Sequence, residues 1–325
     1  MRPERRFVDL TERIIYLRSI PVAAMLPPPV LRGIAGYLRE RTFEEGEMLM
    51  RMGEPIMALE LLTEGKLALV RGGRELGTLA PPQSLGFLGI LARGDGTYDA
   101  TAIARTRSLE LASDALMELL EDHFSLLHAT LTYLAERLLY ELMEMPAEML
   151  GFPFDDAIKV GEREIDLVER ILLLRRMTGF KRTNVNALAA LSQQLTEVRV
   201  PPGTKLWKRG DAPEKALFIA SGVVVCKKEV GEWRYGPGTA VGGLENLAGK
   251  PRWYDAETET ALVALEGRGE GLLDMFEDNF SMAMDFVSMM AESLVGVLER
   301  RAAMGQSPLQ VMRNVSKLGA VPVGA

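Results

Sequence analysis

Residues 217–226 read Leu-Phe-Ile-Ala-Ser-Gly-Val-Val-Val-Cys, two short apolar runs rich in β-branched residues and broken by one glycine. Runs of this length and composition suit two strands joined by a tight turn. A related stretch lies 157 residues earlier, where Leu59-Glu60-Leu61-Leu62 and Lys66-Leu67-Ala68-Leu69-Val70 flank Gly65 as the first pair flanks Gly222. The correspondence extends outward at the same offset. Asp9-Leu10-x-Glu12-Arg13-Ile14 returns as Asp166-Leu167-x-Glu169-Arg170-Ile171, and Gly46 and Gly53 return as Gly203 and Gly210. After a one-residue deletion the offset is 156. Gly86 then matches Gly242, Tyr98-Asp99-Ala100 matches Tyr254-Asp255-Ala256, and Glu121-Asp122-x-Phe124-Ser125 matches Glu277-Asp278-x-Phe280-Ser281. Matches in one order over this span imply an internal duplication. The expected organisation is a first domain at 9–144, a linker at 145–165 interrupted by proline and glycine, a second domain at 166–303 and a tail at 304–325.

Inside each unit the hydrophobic period changes twice. Residues 9–20 and 29–40 carry apolar side chains at helical spacing, and the second of these follows a proline run. Short apolar segments with glycine turns come next: Met48-Leu49-Met50 and the runs around Gly65 in the first unit, and the runs around Gly222 with Trp233-Arg234-Tyr235 in the second. Helical spacing resumes at 114–120 and 124–143, and again at 271–276 and 280–299. This predicts an α+β fold class, helices flanking a β-roll, twice. Helix 280–299 carries more apolar residues than one face requires, so its own roll and the neighbouring domain cover it, or a partner chain does in a homodimer.

The composition excludes several classes of function. The chain has 325 residues, 47% hydrophobic and 26% charged, with a net charge of −7 that opposes attraction to nucleic-acid phosphates. Its only cysteine, Cys226, lies in an apolar run and is expected to be a packing residue in a reducing compartment. No signal-peptide pattern opens the sequence, and no run approaches the roughly 18 uncharged apolar residues of a membrane span, so a cytoplasmic setting without a membrane partner is expected. With only His123 and His128, both in helical segments, the chain lacks the ligands and bases that enzyme chemistry needs, and a non-enzymatic protein is expected. Glu121-Asp122 and Glu277-Asp278 precede helices and read as charges favoured at helix N-termini.

The order of helix, glycine-punctuated roll, short glycine-led segment and two closing helices resembles the cyclic nucleotide-binding domain of catabolite activator proteins, protein kinase A regulatory subunits and gated channels. The phrases that carry the likeness are Phe43-Glu44-Glu45-Gly46-Glu47, Leu62-Thr63-Glu64-Gly65-Lys66-Leu67 and Leu116-Met117-Glu118-Leu119-Leu120 in the first copy. In the second they are Val200-Pro201-Pro202-Gly203, Arg209-Gly210-Asp211 and Leu217-Phe218-Ile219-Ala220-Ser221-Gly222. The resemblance implies two tandem double-stranded β-helix domains of jelly-roll type, with cAMP or cGMP as the class of ligand. In that family a cassette of the form Phe-Gly-Glu-Leu-Ala, followed by Pro-Arg-x-Ala-Thr, binds the nucleotide. Backbone N–H groups and the arginine hold the phosphate, and the glutamate accepts from the ribose.

Both cassettes depart from that pattern. The first reads Leu85-Gly86-Phe87-Leu88-Gly89-Ile90-Leu91, with Phe87 in the glutamate's place and Gly96 or Tyr98 in the arginine's. Gly86, Phe87, Leu88 and Tyr98 thus mark a degenerate site, and nearby Arg93 is expected to be solvated. The second reads Val241-Gly242-Gly243-Leu244-Glu245-Asn246-Leu247-Ala248-Gly249-Lys250-Pro251-Arg252 and keeps the arginine but not the glutamate. Gly242, Gly243, Leu244, Glu245 and Arg252 are its candidate ligand-binding residues. The plainer alternatives are a surface role for Arg252 and a solvated helix-start carboxylate for Glu245. A regulatory or sensory protein binding a cyclic nucleotide in its second domain is expected, the alternative being a degenerate, ligand-free scaffold for protein interaction or assembly. The tail 304–325 is too short for the DNA-reading module of catabolite activators, and no basic pseudosubstrate segment precedes the first domain, so neither direct DNA binding nor kinase inhibition is expected.

Overall fold

The computed structural model describes residues 9–151, 153–154, 160–161 and 163–303; the tail 304–325 lies outside them. The first copy runs α1 (Leu10–Leu17), α2 (Pro21–Ala24), α3 (Pro28–Tyr37), β1 (Arg39–Phe43), β2 (Met48–Met50), β3 (Ala58–Glu64), β4 (Leu67–Arg71), β5 (Arg74–Leu79), β6 (Ser84–Leu85), α4 (Phe87–Leu91), β7 (Asp99–Ala102), β8 (Thr106–Ala112), α5 (Ser113–Asp122) and α6 (Phe124–Met143). The second runs α7 (Leu167–Arg176), α8 (Val185–Gln194), β9 (Thr196–Val200), β10 (Lys205–Trp207), β11 (Ala216–Ser221), β12 (Val224–Lys227), β13 (Glu232–Tyr235), β14 (Ala240–Val241), α9 (Gly243–Ala248), β15 (Asp255–Thr258), β16 (Leu262–Gly267), α10 (Gly269–Asp278) and α11 (Phe280–Ala303).

The first roll pairs β1-β8-β3-β6 in one antiparallel sheet and β2-β7-β4-β5 in the other. The second repeats this order, with β9-β16-β11-β14 and β10-β15-β12-β13. Two tandem α+β domains with one strand topology are therefore present. By compactness the chain divides after Thr130 and after Leu294, within α6 and α11. The segment expected to be a linker is partly packed: Met145, Ala147 and Leu150 are buried. Lys228 donates to the Met145 carbonyl, and a Cβ on Gly231 would overlap Ala147.

The repeated sequence phrases have structural explanations. Asp9 and Asp166 are N-caps of α1 and α7, the latter in a reciprocal capping box with Glu169. Arg13 donates to the carbonyls of Leu38 and Ala35, at 2.7 and 3.3 Å. Arg170 does the same for Leu195 and Ser192, at 2.8 and 3.1 Å, so one arginine closes the C-terminal end of a neighbouring helix in each copy. Asp99 accepts from the Met52 N–H and Asp255 from the Arg209 N–H, each clamping a glycine turn.

Helix boundaries shift from the expectation. The first helix ends at Leu17, Ile20 is extended ahead of Pro21, and Leu38 is already extended, so 39–40 join β1. Glu121-Asp122 and Glu277-Asp278 close α5 and α10. Residues 280–301, although interrupted by Asp285 and Glu292, are long and apolar enough to cross a membrane by length and composition alone. Half of that window is buried, with Met282, Met284, Val287, Met290 and Leu294 essentially inaccessible, as in a core helix. Phe286 packs on Phe180 and Phe276.

Gly65 and Gly222 show why these turns hold glycine. Both have positive φ, and a Cβ would collide with the Arg105 carbonyl oxygen in one and with that of Ala261 in the other. Gly203 also has positive φ but faces open space. Gly222→Ala is expected to cost upwards of about 2 kcal/mol in urea unfolding and Gly203→Ala about 1 kcal/mol. Equal costs would remove the packing part of the argument.

Candidate functional site

In the second copy β14 ends at Val241, and the chain turns through Gly242, at φ +81°, into α9. A side chain on Gly242 would meet Arg252 Nη1 at 2.7 Å and the Lys215 carbonyl oxygen at 3.0 Å. Glycine is required here by conformation and by the closeness of what lies behind it. What lies behind it is Arg252, whose side chain has no exposed surface.

Arg252 Nη1 donates to the Gly242 carbonyl at 2.6 Å and approaches Glu245 Oε2 at 3.4 Å, while Nη2 donates to the Lys215 carbonyl. Its guanidinium carbon lies 4.3 Å from the centre of the Trp207 ring, within cation–π range. Backbone bonds fix the arginine's own position, from its N–H to the Asp211 carbonyl and from the Gly210 N–H to its carbonyl. The surface role considered for Arg252 is thus wrong: a glycine turn and a tryptophan face draw it inward.

The solvated reading of Glu245 fails in the same way. Glu245 is only 2% exposed, in the first turn of α9. Burial raises its pKa, opposed by its own backbone N–H at the helix start and by Arg252. Gly243 begins the helix with no side chain to contribute, and Leu244 is half-buried beside it.

The roll in front of this turn is filled with aromatic side chains. Trp233 stacks on Trp253 with centroids 5.2 Å apart, and Tyr254 meets Trp207, Trp233 and Trp253 edge-on. Cys226 on β12 is fully buried, and burial, with Glu245 second, pushes its thiol well up. It is an inert packing residue, as expected. Tyr254 is also raised well above its ordinary value by burial, then by Glu245 and Cys226, so these groups share one enclosed space. A cleft of about 290 Å³ opens on Leu206, Trp207, Asp211, Glu214, Lys215 and Arg252, at the small end of ligand sites.

In the first copy Gly86, at φ +97°, plays the part of Gly242, and a side chain there would come within 2.7 Å of the Ala58 carbonyl oxygen. Phe87 and Leu88 open α4 half-buried, and Tyr98 packs against the core of Leu62, Leu67, Leu69 and Leu85. Burial raises the Tyr98 hydroxyl to about 12. Arg93 is exposed, at φ +52°. These residues supply no counterpart of the Glu245–Arg252 pair.

The cyclic nucleotide-binding domain model matches residues 40–123 and again 197–279, together just over half of the chain. The chain belongs to that family. No curated protein matches the sequence. Among solved structures, the chain is similar to the regulatory domain of Toxoplasma gondii PKA with cAMP, at 15% identity and a TM-score of 0.34, covering 89% of this chain and 98% of that one. It is similar to the regulatory subunit of a cAMP-independent protein kinase A from Trypanosoma brucei at 14% identity and a TM-score of 0.34, covering 96% and 94%. The corresponding Trypanosoma cruzi subunit, bound to guanosine, shows 14% identity and a TM-score of 0.33, covering 98% and 96%.

Sequence reasoning missed Trp207, the Lys215 carbonyl and the roll aromatics. The signal for the last was present in the unusual Trp253-Tyr254 pair following Arg252. It also missed Glu60, which is buried on β3 of the first roll, bonded to Ser108 at 2.5 Å and paired across from Leu85 at the entry to the first cassette. His123 and His128 sit apart, and among the described residues no group of three metal-ligating side chains converges.

The buried carboxyls make stability depend on pH and on pairing. Burial raises the Glu60 pKa to about 7, partly offset by Ser108, with Glu110 adding to the rise and Arg41 opposing it. The folded state therefore holds a proton that the unfolded state releases above about 4.5, so stability is full below that pH and falls as pH rises towards 7. Glu60→Gln should flatten this fall and stabilise the protein at pH 8 by roughly 2 kcal/mol, read from unfolding curves at about pH 5 and pH 8. For the second site, a double-mutant cycle of Glu245→Gln and Arg252→Met should give a coupling of about 1–3 kcal/mol, whereas additivity would dissolve the pair.

Proposed function

We propose that this protein is a non-enzymatic regulatory module of tandem cyclic nucleotide-binding-type domains that holds its second cassette in order without a cyclic nucleotide. The observation that carries this reading is the buried Glu245 carboxylate, set against the start of α9 and Arg252. A helix start and an arginine are what a bound phosphate would use, and here a carboxylate of the chain itself satisfies them. The aromatic cluster of Trp233, Trp253 and Tyr254 supports the same reading, since these rings pack on one another inside the roll and leave only the small cleft beside Arg252. Phe87 and Tyr98 take the first copy in the same direction. The alternative of a ligand-free interaction scaffold is thereby preferred over the sensor, and the function rests on protein partners, a second copy of this chain among them, in the cytoplasmic setting that a single buried thiol suits.

One observation favours the sensor reading, with cAMP or cGMP in the second domain. Arg252 does point inward, at the family's arginine position, and its Nε has no acceptor among the described residues. In that reading Glu245 must leave the arginine when phosphate arrives, and its raised pKa eases the exchange at lower pH.

Thermal unfolding of the full chain with millimolar cAMP, cGMP or AMP separates the two, because a ligand that selects the folded state raises the midpoint. No shift is expected with any of them. A rise selective for a cyclic nucleotide, lost in both Arg252→Lys and Arg252→Met, would overturn the ligand-independent reading and establish the sensor.

A further inference from the structure

On α7, Val168, Leu172 and Arg176 follow at four-residue spacing and so share one face. The opposite side of the helix is anchored by buried Leu173 and Leu174, while Val168 is 65% and Leu172 56% exposed, and Arg176 is exposed with them. The chain then turns back, tied to the helix end by a 3.0 Å bond from Arg175 Nη2 to the Thr183 carbonyl. That turn carries exposed Lys181 and Arg182 and leads to Val185, the first residue of α8, also exposed.

The charge of this corner is out of keeping with the protein. From Arg170 to Thr196 the sequence has five cations and no carboxylate, within a chain of net charge −7. Arg170 and Arg175 spend their guanidinium groups on backbone carbonyls. Arg176, Lys181 and Arg182 have no ion pair or side-chain hydrogen bond among the described residues.

Fold stability accounts for only one of the three. A cation in the last turn suits the α7 dipole, which explains Arg176. Lys181 and Arg182, however, stand three and two residues before Asn184, the N-cap of α8, on the side of the helix dipole that disfavours positive charge. At the corresponding positions the first copy has Ser19, Ala24 and Met25, and it forms the two flanking helices, α1 and α3, that match α7 and α8. The cluster is an addition to one copy of a fold that does not need it.

We propose that this corner of the second domain docks an acidic segment of a partner protein, its carboxylates on Arg176, Lys181 and Arg182 and its aliphatic side chains on Val168, Leu172 and Val185. The interleaved aliphatic residues distinguish it from a surface for nucleic-acid phosphates, which positive charge alone would serve. The predominance of arginine and the lack of an aromatic side chain among these six distinguish it from a lipid-headgroup anchor. The inference is independent of whether the second cassette takes a nucleotide.

The test uses the full chain and four probes: a labelled helical peptide with leucine on one face and glutamate elsewhere, its glutamine-substituted control, a labelled DNA duplex, and phosphatidylserine vesicles. Saturable, salt-sensitive binding of the glutamate peptide alone is expected in fluorescence anisotropy. R176Q/K181Q/R182Q should weaken it roughly tenfold, with the thermal midpoint unchanged. Leu172→Ser should weaken it as well, which separates a specific dock from a diffuse charge effect. No saturable binding of the glutamate peptide, binding indifferent to these variants, or preferential binding of DNA or vesicles would overturn the proposal.

Discussion

A buried guanidinium must be surrounded by acceptors, and the second cassette is arranged around the place where Arg252 finds them. Two are backbone carbonyls, from Gly242 at the turn into α9 and from Lys215 at the threshold of β11. The third is the Glu245 carboxylate, and the Trp207 face closes one side. Because arginine does not give up its proton under ordinary conditions, these groups cannot separate without leaving a charge in a dry interior. The constraint therefore passes to its neighbours. Gly242 has no room for a side chain, α9 must begin where it does, and the loop 249–252 must return to the roll.

This dependence separates what was legible in the sequence from what was not. The duplication was legible because its matching residues are those with local tasks: Asp9 and Asp166 cap helices, Gly65 and Gly222 make turns that tolerate no Cβ, and Asp99 and Asp255 clamp a backbone N–H. Such tasks are performed within a few residues or across one strand pair, so the residue type announces them. Arg252 and Glu245 were legible as candidates by their place in the cassette, but their burial was not. An arginine and a glutamate seven residues apart on a glycine-rich loop read as solvated. Their inward course depends on Lys215 and Trp207, which lie some 40 residues away in sequence and carry no mark of that role.

The two copies also show how one topology accommodates opposite choices in its interior. At the β3 position paired with the strand before the cassette, the first copy buries Glu60 with Ser108, and the second has Leu217 and Ala264. Beside the cassette the choice reverses: the first has apolar Phe87 and Leu88, and the second buries a carboxylate and an arginine. A buried carboxyl with no cation bonded to it is tolerated by keeping its proton to higher pH, as the pKa of about 7 at Glu60 indicates, even with the charge of Arg41 acting against the rise. A buried carboxyl with a cation is tolerated by pairing, as at Glu245.

These two solutions differ in consequence. A protonated carboxyl answers to pH and to little else, whereas a paired one fixes the direction of two backbone segments at once. Continuum physics gives a buried pair no large net stability over apolar residues of the same size, so stability alone is a poor reason for its presence. What the pair does provide is a defined arrangement, since alternative packings of the loop would strand one of the two charges. In the ligand-independent reading proposed above, the carboxylate built into the helix start supplies the order that a bound phosphate would otherwise give. On that reading the second domain presents its surface, the proposed dock at α7 included, in one conformation, and association with a partner need not wait on a nucleotide to prepare it.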